Sequence, residues 1–216
     1  LLFCCCFSVG VFGQQTISPA NTEAYFRHVI STLAHDSLEG RLPGTKGEKE
    51  AAAFIIREFK KAGCQPIRRK KFTHPFDYKN PDSLLTHSAG NIVARINTKS
   101  KKTIVIGAHY DHIGWGKHHS NAHFSKGIHN GADDNASGVA MMLALAGGCN
   151  QHRQELKYDF VFVAWAAEED GLCGSEYFIK NKTIDTGAVA CYINFDMLGQ
   201  LNTLKPLLKT EGLLEY

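Results

Sequence analysis

The sequence predicts an α/β fold with three α/β/α layers, in which helices cover both faces of a mostly parallel mixed sheet. One observation is a set of continuous apolar runs, such as residues 160–165 (FVFVAW), which are typical of strands covered on both faces. A second is that these runs alternate with helical patterns, as they do in parallel sheets. With 216 residues, 44% of them apolar, the chain suffices for one such domain and is too short for two.

Capping signals and apolar spacing place the first two helices. Ser18 offers a cap and Pro19 a first helical residue for one of them. Thr45 opens the second, with Glu48 three residues later as a capping box, and Gly63 closes it. The inner stripe of this second helix is Ala51, Phe54, Ile55, Phe59 and Ala62. The segment between the two helices, residues 36–44, breaks the periodicity and predicts a loop.

The later part of the chain predicts strands that alternate with helices. The predicted strands are residues 91–96, 103–106, 160–165 and 188–195, the last as an interior strand. Helices are predicted over residues 137–147, which are small and apolar, and over residues 175–181. Residues 66–88 are polar and lack strong periodicity. Their basic run, residues 68–71 (RRKK), predicts a solvated or edge strand, because lysines discourage edge-to-edge pairing.

The N-terminal residues predict export. Residues 1–12 are almost wholly apolar and are followed by Gly13, a pattern typical of the apolar core and cleavage site of a secretory signal. The run is too short to span a bilayer as a helix. We therefore expect residues 1–13 to be a partial signal peptide, residues 14–216 to form one domain, and the protein to be secreted or periplasmic.

Charge and cysteine content exclude several classes of protein. The formal net charge of +3 is small and spread along the chain, so we expect neither nucleic acid nor, once the signal is removed, a membrane as partner. Outside the predicted signal, four cysteines remain, without the CxxC spacing of zinc fingers or redox motifs. We expect them to act as small buried hydrophobes, with their disulfide pairing open: Cys64, Cys149, Cys173 and Cys191.

Carboxylate and imidazole groups follow the predicted strands. Ligands of open parallel sheets collect beyond the carboxyl ends of the strands, so these groups should converge. So many carboxylates at one buried edge require a compensating charge, which a divalent cation supplies. One imidazole among several carboxylates suits Zn²⁺ better than Ca²⁺. The groups are His109 and Asp111, the acidic residues of segment 130–138 (NGADDNASG), Glu168 and Glu169, and Asp196.

Four blocks in this order resemble the zinc aminopeptidases of metallopeptidase clan MH. They are residues 108–111 (AHYD), 130–138 (NGADDNASG), 167–172 (AEEDGL) and 194–199 (NFDMLG). More narrowly, they resemble its family twenty-eight, which includes aminopeptidase Y and secreted bacterial leucyl aminopeptidases. Residues 38–45 (LEGRLPGT) also resemble the entry segment of that family. The likeness covers nearly the whole chain after the predicted signal and implies the zinc-exopeptidase architecture.

The resemblance implies a role for each matching residue. His109 and Asp196 would bind one zinc, Glu169 a second, and Asp133 both. Asp111 would orient the imidazole of His109. Glu168 would be the general base. The peptide bond between Asp133 and Asp134 would be cis. The implied activity is removal of the N-terminal residue from peptides with a free N-terminus, by two zinc ions per complete domain.

The chain departs from the family pattern at its end. The family's second zinc takes a histidine far downstream of the last aspartate motif, and residues 197–216 contain none. We therefore expect the catalytic domain to be incomplete at its C-terminus. Alternatives that stay open are a carboxypeptidase or a glutaminyl cyclase of the same clan, and a non-catalytic ectodomain that uses the fold for binding. The oligomeric state and the preferred side chain are open too.

Other polar residues have less specific interpretations. Glu39 and Arg41 predict a loop ion pair. His112 is expected to line the site without serving as a ligand. The histidines of residues 118–123 predict a solvated insertion near the cleft, with an accessory metal site as the alternative.

Overall fold

The computed structural model describes residues 19–67, 71–80, 84–116 and 127–199. Its helices are α1 (Pro19–Leu33), α2 (Lys46–Lys61), α3 (Gly138–Gln151) and α4 (Cys173–Lys180). Its strands are β1 (Gln65–Pro66), β2 (Thr73–Lys79), β3 (Thr86–Ile96), β4 (Thr103–His109), β5 (Asp159–Trp165) and β6 (Val189–Asn194). None of the helices in these ranges combines the length and hydropathy that a bilayer-spanning segment requires. The predicted signal, residues 1–13, lies outside the described residues.

The six strands form one mixed sheet. Its order is β1–β3–β5–β4–β6, and β2 also pairs with β3. Strand β4 runs parallel to both β5 and β6, whereas β3 is antiparallel to β5, β1 and β2. The carboxyl ends of β4, β5 and β6 therefore meet at the same edge of the sheet, which is where ligands of such folds bind.

Helices cover both faces of this sheet, which confirms the three-layer prediction. On one face, Phe162 of β5 packs against Phe59 of α2, with ring centroids 6.2 Å apart, and α1 and α3 belong to the same core. On the other face, Trp165 of β5 meets Phe178 of α4 edge to face at 5.1 Å. Residues of β5 alternate between these two cores, as the period of a strand requires.

The start of α2 is tied to the end of β4 by a buried carboxylate. The Thr45 hydroxyl accepts the backbone N–H of Glu48, which confirms the predicted cap. The Glu48 side chain accepts the backbone N–H of Gly44 at 2.7 Å and the hydroxyl of Tyr110 at 3.0 Å. Because Tyr110 directly follows the last residue of β4, this network fixes the entry segment against the functional edge of the sheet.

Several elements differ from the prediction. Strand β2 lies inside residues 66–88, where pairing with β3 stabilises a segment that has no strong pattern of its own. Residues 36–41 keep the predicted loop character, because Glu39 and Gly40 have left-handed backbone angles that interrupt the 3₁₀ turns, and Gly40 (φ +67°) is needed there because a Cβ would meet the carbonyl oxygen of Gly114 at 2.7 Å. Strand β6 lies at the edge of the described sheet, not in its interior. Residues 68–70 of the basic run lie outside the described residues, and Lys71 is exposed.

All four cysteines of the described residues are free thiols. Cys64 is buried as predicted, and burial raises its pKa to about 12. Cys149 and Cys173 are half-buried. Cys191 lies exposed on β6, so the prediction of a buried side chain is wrong for this residue, because β6 has no second neighbour among the described strands.

Candidate metal centre

Four segments bring the candidate residues to one edge of the sheet. His109 is the last residue of β4, and Glu168 and Glu169 lie in the turn that follows β5. Asp196 lies just beyond β6, and Asp134 lies in the turn Ala132–Ser137 that leads into α3. The convergence predicted from the strand ends is therefore present.

His109 is the centre of the cluster. Its side chain is 1% exposed, and its Nε2 lies 3.0 Å from Oδ1 of Asp134 and 3.4 Å from Oδ1 of Asp196. Oε2 of Glu168 is 3.9 Å from the same nitrogen. Ligand atoms around a tetrahedral zinc at 2.0–2.2 Å are roughly 3.3–3.6 Å apart. Nε2 of His109, Oδ1 of Asp134 and Oδ1 of Asp196 are thus spaced closely enough to bind one ion.

Asp134 occupies the place that the sequence analysis gave to Asp133, so the prediction of Asp133 is corrected. The Asp133 carboxylate belongs to neither set of potential ligands, and its Oδ1 accepts the backbone N–H of Gly199 at 2.6 Å. The hydroxyl of Ser137 donates to the carbonyl oxygen of Asp133 at 2.7 Å. The cis peptide bond is also one residue further on than predicted, between Asp134 and Asn135.

Asn135 connects the two acidic loops of the cluster. Its side-chain amide donates to the carbonyl oxygen of Phe195 at 2.9 Å, and its Oδ1 accepts the backbone N–H groups of Gly138 and Met197. This side chain is fully buried. The loop that carries Asp134 and the loop that carries Asp196 are therefore held together without a metal.

Asp111 supports the cluster through the backbone. Its two carboxylate oxygens accept the backbone N–H groups of Glu168 and Glu169 at 3.2 and 3.3 Å. The nearest contact of His109 Nδ1 is the carbonyl oxygen of Asp111, at 3.2 Å, and the Asp111 carboxylate is 3.8 Å away. Asp111 thus contacts the imidazole with its main chain and positions the glutamate pair with its side chain.

Glu169 belongs to a second set of potential ligands, together with a histidine that sequence reasoning set aside. Nδ1 of His112 lies 2.5 Å from Oε1 of Glu169. These two residues and Asp134 offer ligand atoms that all lie within 4.8 Å of one another. The same holds for His109, Asp134 and Asp196. Asp134 is common to both sets.

Arg41 is a buried cation beside the cluster whose role sequence reasoning missed. The predicted ion pair with Glu39 is wrong: the Arg41 side chain is fully buried and donates to four backbone carbonyl oxygens. These belong to Leu33, Tyr110, Asn130 and Gly131. Burial lowers the pKa of Arg41 to about 10, so the group is still a cation at neutral pH. No local signal in the sequence distinguishes this arginine from a surface one.

The electrostatics of the cluster favour a bound cation. Burial alone would lower the pKa of His109, but the carboxylates of Asp111, Asp134 and Asp196 raise it to about 12. The acidic surroundings that raise this pKa would equally favour a bound cation. For Glu168, burial raises the pKa most; the charge of His109 opposes this shift, and the charges of Asp111, Glu169 and Asp196 add to it.

Zinc fits this donor set. Imidazole nitrogen with carboxylate oxygens is a common zinc environment, and His109, Asp134 and Asp196 would supply these donors. The fold and the residues at this edge of the sheet together define an α/β protein with a candidate metal centre.

Comparison with known proteins identifies the family. Residues 91–212, more than half of the chain, match the model of peptidase family M28, and the chain belongs to this family. A probable leucine aminopeptidase of Arthroderma otae is 30% identical over 171 residues, which are 73% of this chain and 40% of the relative. The chain thus spans less than half the length of that relative.

Solved structures show the same fold. A Zn-dependent exopeptidase from Parabacteroides distasonis matches 87% of this chain and 65% of its own, with a TM-score of 0.69 and 18% identity. A glutaminyl cyclase from Bacteroides thetaiotaomicron matches with the same coverages and TM-score, at 20% identity. At this identity the matches establish the zinc-exopeptidase architecture and leave the reaction open.

Proposed function

We propose that this protein is a dizinc aminopeptidase that hydrolyses the N-terminal residue from peptides. The observation that carries the proposal is the presence of two sets of potential ligands that share Asp134, with Glu168 beside them. In this proposal His109 and Asp196 hold one zinc, Glu169 holds the other, and Asp134 contacts both. Bound zinc lowers the pKa of a water molecule and polarises a carbonyl group.

Glu168 is the proposed general base. Its Oε2 is close to Nε2 of His109, and its side chain is 28% exposed, so both the cluster and a substrate can reach it. A raised pKa suits a carboxylate that takes a proton from the attacking water and passes it to the leaving amine. The hydrogen bond from the backbone N–H of Glu168 to the Asp111 carboxylate holds Glu168 in this position.

Carboxylates near the second ligand set give a reason for acting at chain ends. A free α-amine is a cation at neutral pH and is attracted to this acidic edge, whereas a blocked N-terminus is not.

We also propose that the protein is exported, on the basis of the apolar run at residues 1–12.

The test measures release of aniline from leucine anilide and from N-acetyl-leucine anilide by the full-length protein. We expect turnover of the free substrate alone, loss of turnover with a chelator, and recovery with zinc. Glu168→Gln should abolish turnover and retain zinc, and Glu176→Gln, an exposed carboxylate on α4, should change neither.

Three results would contradict the proposal. Hydrolysis of blocked substrates alone would exclude an aminopeptidase. Ammonia release from an N-terminal glutaminyl peptide without anilide hydrolysis would indicate a cyclase. Loss of zinc in Glu168→Gln would mean that the roles of Glu168 and Glu169 are exchanged.

A further inference from the structure

We infer that Tyr78 of β2 is a positioning residue for the turn that carries Glu168 and Glu169, and that it acts through Asp170. The inference rests on the proposed function, because it concerns the residues proposed as general base and as ligand of the second zinc. Strand β2 supplies no member of either ligand set, so its effect would reach the metal centre through this turn.

The carboxylate of Asp170 connects the turn to β2. Asp170 directly follows the glutamate pair and belongs to neither ligand set. The hydroxyl of Tyr78 donates to its Oδ2, and the side-chain amide of Asn80 donates to its Oδ1 at 2.7 Å. Burial and the hydrogen bond to Asp170 raise the pKa of Tyr78, so the hydroxyl keeps its proton and remains a donor at neutral pH. Both oxygens of Asp170 are thus bonded to the end of β2.

The middle of the turn is held from two sides. The carboxylate of Asp111 accepts the backbone N–H groups of Glu168 and Glu169. The next residue, Asp170, is held through its side chain by Tyr78. Three consecutive residues are therefore bonded to other segments, two of them to the loop after β4 and the third to β2. Loss of the bond at Asp170 would free one side of the glutamate pair.

The backbone of the turn requires such external contacts. Ala167 (φ +52°) and Leu172 (φ +62°) adopt left-handed backbone angles without being glycine. Strained residues of this kind persist only where the surrounding structure determines their conformation. The buried side chain of Asn91 holds the two ends of the turn, because it bonds to the backbone N–H of Ala166 and to the carbonyl oxygen of Gly174. The middle of the turn, which carries the glutamates, depends on the carboxylate contacts.

Strand β2 is itself firmly anchored. It pairs with β3 along seven residues. The ring of Phe76, which is buried, stacks on Tyr177 of α4 with centroids 4.9 Å apart. Because α4 directly follows the turn, β2 contacts both the turn and the helix after it. The bond from Tyr78 to Asp170 therefore joins the turn to a fixed element of the sheet.

The experiment compares Tyr78→Phe with Tyr25→Phe in the full-length protein. Each substitution removes one hydroxyl that donates to a carboxylate, but Tyr25 bonds to Glu58, between α1 and α2. Equilibrium dialysis measures zinc affinity, and hydrolysis of leucine anilide gives kcat and KM. We expect Tyr78→Phe to bind the second zinc about 10-fold more weakly and to lower kcat about 10-fold, with KM changed less than about twofold. Tyr25→Phe should change none of these values.

A double-mutant cycle tests whether Tyr78 acts through Asp170. Asp170→Ala should weaken the second zinc at least as much as Tyr78→Phe does. Adding Tyr78→Phe to Asp170→Ala should then weaken it no further, because the hydroxyl has lost its partner. If the two substitutions instead multiply their separate effects on zinc affinity, they act independently, and the inference is overturned.

Thermal unfolding separates positioning from a contribution to stability alone. A lower Tm of Tyr78→Phe with unchanged zinc affinity and kcat would overturn the inference, and retention of the first zinc shows that the variant is folded. A wild type that binds two zinc ions without hydrolysing leucine anilide would refute the aminopeptidase proposal, and zinc affinity alone would then decide the inference. A wild type that binds fewer than two ions would refute the dizinc proposal and the inference with it.

Discussion

Asp133 and Asp134 are neighbours in the sequence, yet their carboxylates face different parts of the molecule. Asp134 contacts His109, whereas Asp133 accepts the backbone N–H of Gly199 in the loop after β6. The sequence does not show which of these two adjacent aspartates is the potential metal ligand. The backbone of the turn Ala132–Ser137 determines which carboxylate lies beside His109. The matched variants Asp133→Asn and Asp134→Asn therefore test the correction.

Loss of a group that only supports a metal ligand typically lowers metal affinity by about 10–100-fold. We expect Asp134→Asn to lower zinc affinity by more than this, because Asp134 is itself the proposed ligand. Asp133→Asn keeps an oxygen for Gly199, so its zinc affinity should fall by about 10-fold or less. Zinc titration with a competing chromophoric chelator measures both constants. A larger loss in Asp133→Asn than in Asp134→Asn would restore the original assignment.

Arg41 acts at the residue scale as a buried cation that holds the backbone of the site. Replacement by methionine keeps most of the apolar stem and leaves four carbonyl oxygens without their donor. We expect Arg41→Met to lower the free energy of unfolding by about 3 kcal/mol or more. Urea denaturation measures the change.

The control for Arg41 is Arg27→Met on α1. The Arg27 side chain is 78% exposed and pairs with Glu23 one helical turn away. Such surface pairs contribute little, so a change within about 0.5 kcal/mol is expected. Equal effects of the two substitutions would show that the carbonyl contacts of Arg41 contribute nothing to stability.

At the scale of elements, Asp159 ties the start of β5 to the segment between β3 and β4. Its carboxylate accepts the backbone N–H groups of Thr98 and Ser100 and a guanidinium N–H of Arg95. Burial alone would raise the pKa of Asp159, but these bonds and the charge of Arg95 outweigh it and hold the pKa below its ordinary value.

This depressed pKa predicts the pH dependence of stability. The ionised Asp159 stabilises the fold above its unfolded pKa of about 3.9, and the contribution is lost as pH falls through the lower folded pKa. Asp159→Asn should therefore cost about 1–3 kcal/mol at neutral pH. The difference from the wild type should shrink as pH falls from about 5 to 2. Urea unfolding across this range checks it, and a difference that does not change with pH would contradict the assignment.

Strand β2, which the sequence did not predict, differs physically from the elements that it did. Strand β5 and helix α2 carry their own apolar pattern, so period and capping suffice to place them. Strand β2 alternates polar and apolar residues only loosely and exists because it pairs with β3 along seven residues. Pairing partners that are distant in sequence leave no local pattern.

For the whole molecule, the fold class and the position of the site followed from the sequence, because parallel strands must end at a common edge. The sequence left open which atoms meet there. His112 and Arg41 depend on contacts with residues up to 90 positions away, and such contacts arise only when the sheet is assembled. Family resemblance supplied roles for matching residues, but it offered no role for either of these.

The whole-molecule claim is that two dications share Asp134 at the end of the parallel strands. Crystals of the full-length protein grown with zinc would test it through anomalous diffraction at the zinc edge. We predict two peaks roughly 3.5–4 Å apart. One peak should contact His109 and Asp196, the other Glu169, and both Asp134. The absence of a peak at the carboxyl ends of the parallel strands would contradict the account. Peaks that contact Asp133 in place of Asp134 would contradict it too.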